Sequence, residues 1–412
     1  MTTKKLKVGN VPNLRFPGFD GEWETKKLGK IATFSKGKGI SKSDIESNGT
    51  TECIRYGELY THYGEVINEI RSKTNLDSST LILSEENDVI IPASGETAID
   101  IATASCVMKP GIALSGDLNI IRSKINGVFL SYYLNSKKKM EIANLAQGIS
   151  VVHLYSSQLA SLSLNLPKSK EQNAIASFFS LLDERIATQN KIIEELEVLK
   201  TTITKEIFSG QLKLKDENGN SFPQWEQRKL GEVTNIKSGL SKEQNDNSYG
   251  YKVTRIETIS DGTINLNKIG HIDFDGNIDD YKIKKGDILF SNINSVSHIG
   301  KTAIAYSDLD LYHGMNLLCI KSKYELDPFF LYCYLNTVKI RNYFRSICNQ
   351  AVSQASINQT ELAKTIIVLP SRKEQTKIAT FLRFIFSKID LEVGLLNQLE
   401  KQKKFLLQQM FV

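Results

Sequence analysis

The residues with the strongest claim to chemistry are Gly300-Lys301-Thr302, inside HIGKTA (298–303), because Gly-Lys-Thr ends a phosphate-binding loop. That loop needs a glycine five residues before Gly300, and this chain has Ser295 there. The preceding GDILFSNIN also lacks the glycine-rich backbone that cradles phosphates. His62, His153, His271, His298 and His313 show no metal-ligand spacing. Glu85-Glu86 and Asp279-Asp280 lie in turn-like contexts and read as solvated surface. There is no G-x-S-x-G elbow and no Asn-Pro-Pro or Asp-Pro-Pro run to grip an exocyclic amine. The sequence thus predicts no catalytic residue and no metal site.

Composition leaves a binding role open. With 412 residues the chain is too long for one ordinary core, and its 41% hydrophobic and 24% charged content describe a globular protein. A net charge of +6 tilts it mildly towards an anionic partner. The five cysteines form no C-x-x-C pair and read as reduced thiols. No apolar run reaches the length of a membrane span, and MTTKKLKVGN lacks a signal-peptide core, so a cytoplasmic protein without membrane contact is expected.

What the elements must position is written twice. WETKKLG (23–29) returns as WEQRKLG (225–231), LNIIRSK (118–124) as LLCIKSK (317–323), and FLSYYLN (129–135) as FLYCYLN (330–336). QGISVVHL (147–154) answers QAVSQASI (350–357), and LPKSKEQNAIASFF (166–179) answers LPSRKEQTKIATFL (369–382). Five matches in order, at offsets between 199 and 203, are a duplication of half the chain. Each half opens with β-rich runs such as NDVII (87–91) and GDILF (286–290), then turns helical at Pro167 or Pro370.

The helical parts carry an apolar stripe at Ile175, Phe179, Leu182, Ile186, Ile193, Leu196, Ile203 and Ile207. Every position 203 residues later is also apolar, from Ile378 to Met410. Gln189 and Glu392, then Lys200 and Lys403, interrupt both stripes at matching places, as register-fixing polar seam residues do. The pattern predicts an α+β chain of two β-rich domains, each followed by a long helix, the helices pairing as an antiparallel coiled coil. The alternative is two amphipathic helices that each pack on their own domain. The expected boundaries are a first domain over 1–166, helix over 167–212, linker over 213–221, second domain over 222–369 and helix over 370–412.

This arrangement resembles the specificity subunit of type I restriction–modification systems. The resemblance covers the whole chain and rests on the two W-E-x-x-x-L-G openings, on GDILF, and on L-P-x-x-x-E-Q-x-x-I at 166–175 and 369–378. In the first copy NDVII stands for GDILF, so the equivalence there rests on Asp88 and the apolar run. The resemblance implies that each β-rich unit is a target-recognition domain for half of a split site in double-stranded DNA. The helices would set the gap between the halves. Two methyltransferase subunits and two restriction (motor-nuclease) subunits would be partners. S-adenosylmethionine, ATP and Mg would belong to them, and this chain would bind no cofactor. Two other readings are a DNA-modifying enzyme with cryptic catalysis in one head and a structural coiled-coil scaffold.

Phosphate contacts call for Lys, Arg, hydroxyl and amide donors, and base readout for Arg, Asn, Gln or Lys on groove-facing loops. SKGKGISKSD (35–44) and KSGLSKEQND (237–246) offer Lys36, Lys38, Lys42, Lys237 and Lys242. Arg55, Tyr56 and Arg255 follow these loops. SGET (94–97) and SNINSVSHIGK (291–301) read as hairpin-like tips, with Thr97, Asn292, Asn294, His298 and Lys301 as candidates. Gln147, Ser150, Gln350 and Ser353 complete the set, although serines there could simply cap turns. Partner subunits are expected on off-seam apolar residues: Phe178, Leu181, Val198, Leu199, Phe381, Phe384, Phe405 and Leu407, the alternative being that these pack on the heads.

Overall fold

A computed structural model describes residues 9–244, 249–259, 262–350 and 354–412. The chain forms two compact units, Met1–Lys191 with Gly394–Val412, and Ile192–Val393. Each contains one head.

The repeated opening phrase is a structural clasp. Glu24–Lys27 pairs antiparallel with Ser163–Leu166, and Glu226–Lys229 pairs in the same way with Ile366–Leu369. The first strand of each head is thereby stitched to the last strand before its long helix. The glycine of the phrase is fixed by a close approach. A Cβ on Gly29 or Gly231 would stand 2.9 Å from the Cβ of Ala160 or Ala363.

In the first head a five-stranded sheet has the order 32–36, 118–123, 88–92, 105–107, 66–67, beside a four-stranded sheet of 72–74, 51–54, 113–114 and 82–83. The second head repeats the principal order as 234–238, 318–322, 288–290, 302–304. Asp88 and Asp287 hold matching places. Asp88 accepts from the Glu85 amide at 2.8 Å and from Arg122, while Asp287 accepts from the Lys284 amide at 2.9 Å and pairs with Lys321 at 3.1 Å.

The heads also contain helices that the β-rich reading passed over: Gly127–Ser136, Lys139–Leu145, Pro328–Leu335 and Val338–Ile347. FLSYYLN lies in one of these, and FLYCYLN forms the end of another with Asn336 as its C-cap. Residues 127–134 are buried without interruption, and a helix buried on all sides has no amphipathic period to read.

The long helices are Ser169–Phe208 and Arg372–Met410. No seam residue is exposed. In the first unit Ile175 and Phe179 share the head core with Met410 and Phe411, and Lys403 pairs with Asp183 at 2.7 Å. In the second unit Ile207 joins Ile378, Leu382, Ile385 and Ile389, and the Lys200 ammonium sits 5.0 Å over the Phe386 ring. The two helices are therefore antiparallel within each unit. The two packing modes weighed from the sequence combine: the helix ends pair with each other and also complete a head core. Gln189 and Glu392 are both buried, in the first and second unit respectively.

The Gln of the repeated motif ties each long helix to its head. Gln172 Nε2 donates to the Pro167 carbonyl at 2.9 Å, and its Oε1 accepts from the Asn126 amide at 3.1 Å. Gln375 does the same with Pro370 at 3.0 Å and the Asp327 amide at 2.9 Å. The segment expected as a linker holds a hydrogen-bonded turn. Asp216 accepts from the amides of Asn218 and Asn220, and Leu212 and Leu214 pack on the second head's core. No helix among the described residues is long and apolar enough to cross a membrane.

Candidate nucleic-acid interface

Strand ends gather the first head's predicted segments along one rim. Lys36 ends its strand opposite Asn119. Asn119 is fully buried and donates to the Leu154 carbonyl at 2.9 Å, tying that corner to the 147–154 segment. Lys38 donates its amide to Leu114 at 2.9 Å, and Ser115 donates to Ile54 at 3.0 Å, which brings the lysine-bearing loop beside Arg55. Ser94-Gly95 pairs with Val152-His153. Gly37 makes the approach possible, since a Cβ there would lie 2.0 Å from the Ser115 carbonyl oxygen.

Lys36, Lys38, Lys42, Gln147 and Ser150 are exposed, and Tyr56 is half-buried. Gln147 and His153 exchange backbone hydrogen bonds of 2.9 and 2.7 Å, closing a hairpin whose tip carries the fully exposed Ile149. Two candidates are occupied with local structure. Arg55 pairs with the buried Glu58 at 3.1 Å. Thr97 Oγ1 accepts from the Asp100 amide at 3.1 Å and donates to its carboxylate at 2.6 Å, so SGET runs into a helix cap rather than a bare tip.

The second head builds its rim from matching places. Lys237 lies opposite Cys319, and Leu240 donates to the His313 carbonyl at 2.9 Å. Gly239 repeats the close approach of Gly37, with a Cβ due 1.8 Å from the Gly314 carbonyl oxygen. Strand pairing sets Asn294 and Gln350 on either side of Ala355. Ile357 donates to the Asn292 carbonyl at 2.9 Å, and His298 stands 3.3 Å from Ser295 Oγ through Nδ1. Lys237, Lys242, His298 and Gln350 are exposed, and Lys301 is half-buried. Arg255 Nε donates to Gln244 Oε1 at 2.5 Å. Ser353 lies outside the described residues.

His313 is buried behind this rim, and its Nε2 donates to the Leu317 carbonyl at 2.9 Å. Burial lowers its pKa to about 4, so the ring is neutral and structural. The motif glutamates differ between copies. Glu171 receives Arg15 Nε and Nη2 at 2.7 Å each and Trp23 Nε1 at 3.4 Å, and the bond to Glu171 raises the Arg15 pKa. Glu374 pairs with no arginine among the described residues. Its Oε2 is buried without a partner, and burial raises the carboxyl pKa against a lowering hydrogen bond from Trp225.

Off-seam apolar residues divide. Leu181, Val198, Leu199, Phe381, Phe384 and Phe405 are exposed on the long helices. Phe178 and Leu407 instead pack on the first head's core, Phe178 with its ring 5.5 Å from Phe16. These two take the alternative open to off-seam residues, packing on a head, because the helix ends belong to it.

The sequence reading missed the Val338–Ile347 helix, which carries Lys339, Arg341 and Arg345. Ile340, Phe344 and Ile347 at three- and four-residue spacing, with cations between them, were the available signal.

A family model described as the type I restriction modification DNA specificity domain matches residues 20–198 and again residues 223–401. The chain belongs to this family. A provisionally named type I restriction enzyme MjaX specificity subunit of Methanocaldococcus jannaschii is 40% identical over 206 residues, 48% of this chain and 48% of the relative. The MjaVIII specificity subunit of the same organism is 27% identical over 402 residues, covering 93% of this chain and 90% of that one. The chain thus spans about half of the first relative's length and most of the second's. The crystal structure of a type I restriction–modification S subunit from M. genitalium superposes with a TM-score of 0.62 at 18% identity, covering 98% and 99% of the two chains. That likeness concerns the fold, in which this chain carries two specificity domains. Each matched span encloses one rim together with the clasp and the helix anchor that hold it.

Proposed function

We propose that this chain is the non-catalytic address subunit of a cytoplasmic type I restriction–modification complex. Each head reads one half of a bipartite site in double-stranded DNA, and the long helices fix the gap. Two methyltransferase subunits dock on the exposed apolar residues of the long helices, and two restriction subunits join them. The partners carry adenine methylation with S-adenosylmethionine and Mg- and ATP-dependent cleavage.

The observation that carries this reading is one scaffold with two linings. Clasp, helix anchor and glycine approach are the same in both heads, whereas the rims present different side chains. That is what two readers of different half-sites need, since phosphate contacts position and base contacts specify. Half-sites read from accessible groove faces lie about one helical turn, ~10 bp, apart.

Mapping methylated adenines in a host carrying the chain tests the reading. A split motif is expected, and inserting four residues after Thr201 should change its gap. Methylation at an unsplit motif, or a gap indifferent to the insertion, would overturn it. Purified alone with S-adenosylmethionine and DNA, the chain should transfer no methyl group until a methyltransferase subunit is added.

A further inference from the structure

One cationic pair in the second head has no counter-ion among the described residues. Arg341 and Arg345 lie four residues apart on the Val338–Ile347 helix, so their side chains are neighbours on one flank. The helix is pinned by Ile340 and Phe344, which are buried. The Phe344 ring lies 5.0 Å from Phe290, and a Cβ on Gly300 would come within 2.8 Å of it. That contact fixes the helix against the 291–301 segment, and its C-terminal end runs into the Asn349-Gln350 strand of the rim.

Among the described residues both guanidinium groups have neutral partners. Arg341 Nη1 reaches Asn336 Oδ1 at 3.5 Å, and Arg345 Nη1 donates to Asn342 Oδ1 at 3.0 Å. Arg341 Nε is buried with no acceptor. Among the described residues no carboxylate pairs with either arginine, whereas Arg15, Arg55 and Arg122 each have one. Burial and then the charge of Arg345 push the Arg341 pKa below its ordinary value. Two like charges side by side, one with an unmet donor, are destabilising unless an anion joins them. The matching helix of the first head, Lys139–Leu145, carries no arginine, and Lys138 at its start pairs with Glu141 at 2.6 Å.

We propose that Arg341 and Arg345 form a phosphodiester-binding site that anchors the second head to the DNA backbone beside its reading rim. The inference rests on the reading of the chain as a DNA-recognition subunit. A backbone phosphate offers oxygens that two guanidinium forks can hold through charge-assisted bonds, filling the donor that the fold leaves open. Such a contact sets register without reading sequence.

The test uses the chain assembled with its methyltransferase subunits and a duplex bearing the mapped site. Arg345→Gln alters an exposed residue, and Arg341→Lys keeps the charge while losing the fork. Arg345→Gln is expected to weaken binding about tenfold on target and non-target duplexes alike, and to reduce the salt slope by about one. A single methylphosphonate opposite the second head should cost affinity in the wild type and little more in the variant. Arg341→Lys should weaken binding while keeping the slope. Unchanged affinity, a loss confined to one base sequence, or an undiminished methylphosphonate penalty in the variant would overturn the site. So would lost assembly with the methyltransferase subunits at intact DNA affinity, which would mark a protein-docking patch. If the wild-type complex itself showed no salt-sensitive duplex binding, the DNA-recognition reading would fall first and take this site with it.

Discussion

Glu171 and Glu374 occupy the same motif position and should answer opposite experiments. Glu171→Gln removes the charge that holds Arg15 and should cost about 1.5–3 kcal/mol, read as lost hydrogen-exchange protection in the first unit. Glu374→Gln keeps an acceptor for Trp225 and discharges an unpaired buried oxygen, so no loss is expected. The folded-state pKa of Glu374 is raised, so its contribution is present at low pH and lost as pH rises through that value. The Gln variant should flatten that decline in the second unit. His313 titrates the other way. Its pKa falls from 6.5 to about 4, so the unfolded chain binds the proton first and stability is lost as pH drops through that window. The loss amounts to about 3 kcal/mol by pH 4, and His313→Gln should remove most of it in urea titrations at successive pH values.

At the scale of elements, the exposed apolar face of the long helices separates docking from folding. Phe384→Ser and Phe405→Ser remove exposed rings and should leave stability within about 0.5 kcal/mol, while weakening co-purification of the methyltransferase subunits. Unimpaired assembly would move the docking surface elsewhere. These helices were legible because a seam stepping by three and four repeats in both copies, and the recurrence of Lys200 and Lys403 marked register. The head helices were not, since residues 127–134 are apolar on every side. The rim could be read only as a collection of loops. What unites them is strand register, such as Ser94-Gly95 against Val152-His153, and pairing over that separation leaves no local trace. Arg55 looked free in sequence because nothing there announces that Glu58, three residues on, would be buried to receive it.

For the whole molecule, two heads closed by separate clasps should exchange independently. Replacing residues 225–368 with the matching segment of a relative should change one half of the methylated motif and leave the other half and the gap intact. Methylome mapping reads this directly, and a change in both halves would contradict it. The units are nevertheless not consecutive in the chain. Phe411 lies against Trp23, Phe129, Tyr133 and Phe179, at centroid distances between 5.4 and 6.4 Å, in the core of the first head. Phe411→Ala should cost that head about 3–5 kcal/mol while sparing the second. On the ribosome, the first head must wait for a segment made after the second head. While the second head is made the aromatic socket stands open, and the second head can mature before the first is sealed.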